Sequence, residues 1–176
     1  MPAQTPNVFT YPRNEPGTLG HADLVEPLRT LPRDLIDELR GITAEQTREP
    51  SPEGGWGVAD IIGHLRDTAE IDHKRLYMMS TQTDPVLEPW DEQASAERRR
   101  KSPADLAAML GELREWRADT VRLLTTLVNW NWARTGRHLE QGRMSIRQMV
   151  EYMVDHESQH MSEVRRIRAG QLETGD

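Results

Sequence analysis

Ser145-Ile146-Arg147-Gln148-Met149-Val150-Glu151-Tyr152-Met153-Val154-Asp155-His156-Glu157-Ser158-Gln159-His160-Met161 carries two patterns at once. The first is a helix with a defined start. Ser145 followed three residues later by Gln148 is a capping box, in which each side chain bonds the other's backbone N–H. Ile146, Met149, Val150, Met153 and Val154, continued by Met161, Val164 and Ile167, recur at three- and four-residue spacing. That spacing makes one buried helix face. Arg165, Arg166 and Arg168 near its end suit the negative end of the helix dipole, and a stop is expected near Ala169-Gly170. The second pattern is the pair His156 and His160. Residues four apart stand one turn apart on the same face, so both imidazoles can reach one metal ion.

Three further apolar stripes precede this one. The first spans about residues 22–40, with Leu24, Leu28, Leu31, Leu35, Ile36 and Leu39 on one side. Pro27 and Pro32 interrupt it, so either the helix starts near Pro32 or two pieces meet at a bend. The second spans about 58–79, with Val58, Ile61, Ile62, Leu65, Ala69, Leu76 and Met79. The third opens at Ser102-Pro103-Ala104-Asp105, an N-cap serine followed by proline at the first helical position. It continues through Leu106, Met109, Leu110, Leu113, Arg117, Val121, Leu124 and Val128.

Between the stripes lie irregular segments. Residues 1–20 hold four prolines and read as a surface arm. Residues 42–57 and 80–102 are long connections, and the run Glu97-Arg98-Arg99-Arg100-Lys101 reads as a solvated turn. Residues 131–144 read as a loop turning at Gly136 and Gly142. No alternating strand pattern, hairpin signal or repeat is evident. Four amphipathic segments predict an all-α fold, a single-domain four-helix bundle over 1–176. The two long connections allow neighbouring helices to run the same way.

Composition narrows the function. With 22 Lys+Arg against 29 Asp+Glu the net charge is −7, which argues against nucleic-acid binding. There is no cysteine, which excludes disulfides, thiolate metal sites and a cysteine nucleophile. No apolar run approaches the ~20 residues of a membrane span. The first twenty residues lack the charged start and apolar core of a signal peptide. A soluble cytoplasmic protein is the expectation.

A third metal ligand must come from another helix. His64 and His73 on the second stripe are nine residues apart, about 180° around a helix, so only one can face inward. His64 has apolar neighbours Ile61 and Leu65 and flanks the buried face; His73 lies in the charged stretch Asp72-His73-Lys74-Arg75 and is expected in solvent. His21 and His138 are expected at the surface. Three neutral histidines with an open fourth position suit Zn²⁺, Ni²⁺ or Fe²⁺. Such an ion lowers the pKa of a bound water or thiol. Core histidines satisfied by hydrogen bonds are the alternative.

Glu157 falls near the centre of the buried face. It is either half of a structural ion pair, with Arg117 a candidate partner, or a carboxylate supporting the metal as orienting group or general base. Asp60 and Asp67, one turn either side of His64, are further candidates for the supporting role. His156-Glu157-Ser158-Gln159-His160 also matches the H-E-x-x-H protease pattern. No later histidine follows, and the strands of a protease cleft are missing. Trp90 and Trp132 are candidate pocket walls, with packing as the plainer reading.

Trp56-Gly57-Val58-Ala59-Asp60-Ile61-Ile62-Gly63-His64-Leu65 resembles a W-S-x-x-E-x-x-x-H-L segment of the DinB-like (YfiT-like) superfamily. Gly142-Arg143-Met144-Ser145-Ile146-Arg147-Gln148-Met149 is similar to the family's entry into its last helix, and His156-Glu157-Ser158-Gln159-His160 to its paired-histidine motif. The departure is Gly57 where serine is common. The resemblance implies a four-helix bundle with crossover connections and a metal held by His64, His156 and His160. It also implies homodimers, and a metal-dependent hydrolase or a transferase using a low-molecular-weight thiol on a small-molecule substrate. A non-enzymatic bundle that binds a small ligand or partner, with a structural metal, is the competing function.

Overall fold

In the computed structural model the described residues are 19–51, 54–101 and 105–173. The arm at 1–18 and the helix start at Ser102-Pro103-Ala104 lie outside them. Four long helices form the body: α1 (His21–Glu38), α2 (Val58–Thr81), α4 (Leu106–Thr126) and α5 (Ile146–Glu173). Between α2 and α4 come strand β1 (Val86–Leu87) and a short helix α3 (Glu92–Lys101). Between α4 and α5 come a 3₁₀ turn (Asn129–Ala133) and strands β2 (Thr135–His138) and β3 (Gly142–Ser145).

Each helix has an identifiable start. The Ser145 amide donates to Gln148 Oε1 at 2.9 Å and the Gln148 amide to Ser145 Oγ at 3.1 Å, the capping box that opens α5. At α2 the Gly57 amide donates to Asp60 Oδ2 at 3.1 Å. Asp105 is the N-cap of α4. Helix α1 runs unbroken through both Pro27 and Pro32, neither of the two expected interruptions. Each proline forfeits one backbone bond, but Leu24, Leu28, Leu31 and Leu35 are buried along a single face and hold the segment helical. Helix α5 continues past Gly170 to Glu173.

Helices α1 and α2 each pack against both α4 and α5, so α1 faces α2 across the bundle and α4 faces α5. One apolar cluster joins Leu24 and Leu28 of α1, Leu76 and Met79 of α2, Val121 and Leu124 of α4, and Met149 and Met153 of α5. The other joins Leu35, Ile61, Leu113 and Val164. The first cluster therefore takes the start of α1 and α5 but the end of α2 and α4. Helices α1 and α5 are parallel to each other and antiparallel to α2 and α4, an up-down-down-up order. The parallel pair α2 and α4 requires the long crossover that holds β1 and α3.

Residues 135–145 are not a loop. Strands β2 and β3 form an antiparallel hairpin with Gly142 at φ 83°, and β1 joins β2 in parallel. A Cβ at Gly136 would lie 3.0 Å from Leu87 and Met79 side-chain carbons, so the sheet packs directly on the end of α2. Strands of two to four residues are too short to show alternation in sequence. The charged run is the last turns of α3; Arg99 alone turns inward, over Gly63, and pairs with Asp67.

Between the two apolar clusters lies a buried polar layer. Glu157 is 3 % exposed, Arg117 1 % and Asp72 6 %. Arg117 and Glu157 form an ion pair across the α4–α5 diagonal. Burial pushes the Glu157 carboxyl up to about 7 and the Asp72 carboxyl upward, both opposed by Arg117. Arg117→Met should cost about 3–5 kcal/mol in urea unfolding, because it strands buried carboxylates, and adding Glu157→Met should recover much of the loss. Equal losses in the single and double variants would contradict a coupled pair.

Gly57 has a steric cause. A Cβ there would lie 2.4 Å from the Glu49 carbonyl oxygen, where residues 50 and 57 pair as an isolated bridge. Gly57→Ser is expected to destabilise the fold by about 1–3 kcal/mol in the same assay.

Candidate metal centre

The second turn of α2 carries His64, and α5 carries His156 and His160 one turn apart. Because α2 and α5 are neighbours, the three rings meet. His64 Nε2 lies 3.0 Å from His156 Nε2, and His160 Nε2 lies 3.2 Å from the same atom. One ligand nitrogen from each residue falls within 4.8 Å of the other two. His64 is 4 % exposed, and the other two are half-buried.

The far side of two rings meets carboxylates. Glu163 Oε2 is 3.1 Å from His160 Nδ1. Glu92 Oε1, from the first turn of α3, is 3.2 Å from His64 Nδ1, at hydrogen-bond distance but out of line, so that Nδ1 has no better-aligned partner among the described residues. An ionised carboxylate only accepts, so the Glu163 contact places the His160 proton on Nδ1 and its lone pair on Nε2, and the negative charge of Glu92 beside His64 Nδ1 favours the same tautomer there. A proton on His156 Nε2 can satisfy one of those lone pairs and not both. At least one buried lone pair therefore faces a nitrogen with no proton to offer, and a cation between the rings removes the conflict.

The donor set fits such an ion. Two imidazole nitrogens each about 2.0–2.1 Å from one divalent ion stand about 2.9–3.4 Å apart at angles between octahedral and tetrahedral. Both Nε2 separations fall in that interval. Burial first, then the neighbouring imidazoles, lowers His64 to about 3 and His156 to about 4. Both rings are therefore neutral at pH 7, as ligands must be.

Aromatic rings enclose the cluster. Trp56 lies 4.9 Å from His64 and 6.1 Å from His160, centroid to centroid; Trp90 is 5.6 Å from His64 and Tyr152 is 5.7 Å from His156. The Ser51 amide donates to the Trp56 carbonyl at 3.3 Å, which holds the connection before α2 in place. Trp90 Nε1 donates to Ser95 Oγ at 2.9 Å, which ties it to α3. These rings and the histidines line a cavity of about 290 Å³, which extends to Arg75, His138 and Glu140. A larger groove of about 990 Å³ between α2, α3 and α4 shares Trp90 but none of the three histidines.

The remaining sequence candidates fall elsewhere. Glu157 is engaged with Arg117 and is not among the cavity-lining residues. Asp60 caps α2 and Asp67 pairs with Arg66 and Arg99, so neither supports His64. Trp132 stacks on His21 at 4.1 Å and is core, while Trp90 is a cavity wall. His73 is half-buried against Thr120 Oγ1 at 3.2 Å rather than in solvent. His138 is 5 % exposed, not a surface residue, because the unforeseen hairpin folds it onto α2. Sequence reasoning also missed Glu92, Arg75 and the orienting role of Glu163. Only Glu163, three residues after His160, left a signal, since i,i+3 residues share a helix face.

Comparison with known proteins agrees with this architecture. The model of the DinB superfamily matches residues 28–164. The chain is 28% identical over 110 residues to YfiT of Bacillus subtilis, named as a candidate metal-dependent hydrolase, covering 62% of this chain and 62% of that protein. It is 28% identical over 143 residues to a similarly named protein of Oceanobacillus iheyensis, covering 80% and 81%. The solved structure of Bacillus subtilis YfiT, described as having an unusual four-helix bundle topology, superposes with a TM-score of 0.83 at 23% identity, over 91% of this chain and 92% of that one. From the up-down-down-up bundle, the crossing helices and the match across most of its length, this chain belongs to the DinB superfamily, among YfiT-like proteins.

Proposed function

We propose that His64, His156 and His160 hold one divalent transition metal and that the chain is a metal-dependent hydrolase of a small molecule bound in the adjoining cavity. The observation that carries this is the convergence of three Nε2 atoms, at least one of them an unsatisfied lone pair, at the wall of a cavity. The names of the relatives support hydrolysis as the reaction class. When bound, such an ion supplies a Lewis acid that lowers the pKa of a ligand water or thiol. The chain's own residues do the rest. Glu163 holds the ring orientation of His160 by a hydrogen bond to Nδ1, and Glu92 places a negative charge beside His64 Nδ1. Trp56, Trp90 and Tyr152 limit water around the cluster. Glu157, through Arg117, acts as a structural anchor of α5 and takes no part in proton transfer.

A second reading is transfer to or from an external thiol. One fact favours it: the chain has no cysteine, so any sulfur at the site comes from outside. Cobalt-substituted protein separates the two. A sulfur-to-cobalt charge-transfer band on adding small thiols supports transfer, and its absence with every thiol supports hydrolysis.

Metal content is the primary test. Wild type is expected to bind one Zn²⁺, Ni²⁺ or Fe²⁺ per chain by elemental analysis, and His160→Ala to lose stoichiometric metal. Glu92→Gln should keep the site but weaken it by about 10- to 100-fold in chelator competition. Wild type that takes up no stoichiometric metal, or a His160→Ala variant that keeps it, would sink the proposal.

A further inference from the structure

The end of the cavity away from the three histidines holds a hydrogen-bonding conflict that they do not explain. His138, on β2, receives two donors. The Glu140 amide points at Nδ1 from 3.3 Å, and Arg75 Nη2 stands 3.2 Å from Nε2. A neutral imidazole has one lone pair and one N–H. Whichever tautomer is present, one ring N–H faces another donor; protonating the ring makes both contacts unfavourable. The Glu140 contact is within the hairpin turn and is fixed by the backbone. Its demand for a lone pair on Nδ1 sets the proton on Nε2, opposite the Arg75 guanidinium. Two donors then stand side by side in the cavity wall.

Asp72 and Glu140 offset the Arg75 charge through space, but its hydrogen-bonding capacity is little used. Both of its close polar contacts among the described residues involve Nη2: the opposed one with His138 Nε2, and a hydrogen bond donated to the Glu88 carbonyl at 2.6 Å. Nε and Nη1 make none among those residues. The guanidinium is half-buried and lines the cavity with His138. Half-buried donors without acceptors are costly, and an arginine fork beside an N–H is suited to a planar two-oxygen anion.

We propose that Arg75 and His138 form a carboxylate-binding subsite, so that the natural ligand is a small organic acid. Arg75 donates from its unused nitrogens to the carboxylate and His138 adds its Nε2–H. A dianion such as a phosphate is disfavoured, because Asp72, Glu92 and Glu140 line the same cavity against a single arginine. The volume of about 290 Å³ admits a small ligand only. Its walls of Trp56, Trp90 and Tyr152 suit a flat apolar body between the carboxylate and the reacting group. The subsite relies on the proposed function only for placing that reacting group at the three histidines; the anion site itself is independent of metal.

The test is calorimetric titration of chelator-treated, metal-free protein with acetate, benzoate and phenylacetate, and with benzamide as the neutral counterpart of benzoate. Benzoate or phenylacetate should bind saturably, with benzoate about 10- to 100-fold tighter than benzamide. Arg75→Gln should erase that preference, while zinc affinity by chelator competition stays within about threefold of wild type. Arg75→Lys, which keeps the charge and loses the fork, should retain an intermediate preference and serves if the glutamine variant fails to fold by circular dichroism. No binding of any carboxylate, equal binding of benzoate and benzamide, or benzoate binding untouched by either substitution overturns the subsite. Arg75-dependent benzoate binding in a protein that takes up no metal would overturn the metal reading and leave the subsite standing. Metal uptake without carboxylate binding would do the reverse.

Discussion

The polar layer of Asp72, Arg117 and Glu157 is the constraint on which the arrangement of helices depends. It cuts the core into two apolar clusters, and it does so at the same level in α2, α4 and α5. Two carboxyl groups and one guanidinium cannot all be charged at low cost in a dry interior. Burial raises both Asp72 and Glu157, and Arg117 opposes the rise in each. Any sliding of one helix would bring a buried charge against leucine or methionine. The layer therefore sets register in a bundle whose apolar faces alone would tolerate several.

It also sets rotation. The Arg117–Glu157 pair spans the diagonal and points Glu157 at the bundle axis. At about 100° per residue, His156 and His160 then lie about 100° and about 60° to one side of Glu157, on the flank that faces α2. His64 meets them there because Gly57 and Asp60 fix the start of α2. The histidine cluster is thus a consequence of where a buried ion pair aims the last helix. The crossover residues complete the surroundings: α3 brings Glu92, the turn before it brings Trp90, and the hairpin brings His138.

Much of this was legible in the residues, and the rest was hidden for physical reasons. The four stripes announced the bundle because 3.6-residue periodicity survives over twenty residues. Ser145 and Gln148 announced the start of α5 because a capping box is local. The histidines were legible because i,i+4 spacing and one flanking position on α2 need no knowledge of the connections. The hairpin was not legible: its strands are short, and its stability comes from packing Gly136 on Met79 and Leu87, which only the folded chain brings together. His138 was misplaced with it. Asp72 was hidden in a charged stretch, since nothing local distinguishes a solvated aspartate from one facing an arginine on another helix. The prolines of α1 misled because propensity is weak against the burial of a whole leucine face.

The central claim is that three imidazoles, positioned by the bundle, hold a single ion at their shared centre. Anomalous diffraction from crystals grown with zinc, measured on both sides of the zinc edge, tests it most directly. The account predicts one strong peak about 2.0–2.1 Å from Nε2 of each of His64, His156 and His160. A peak bound by fewer than three of these nitrogens, or zinc held elsewhere on the chain with the cluster empty, would contradict it.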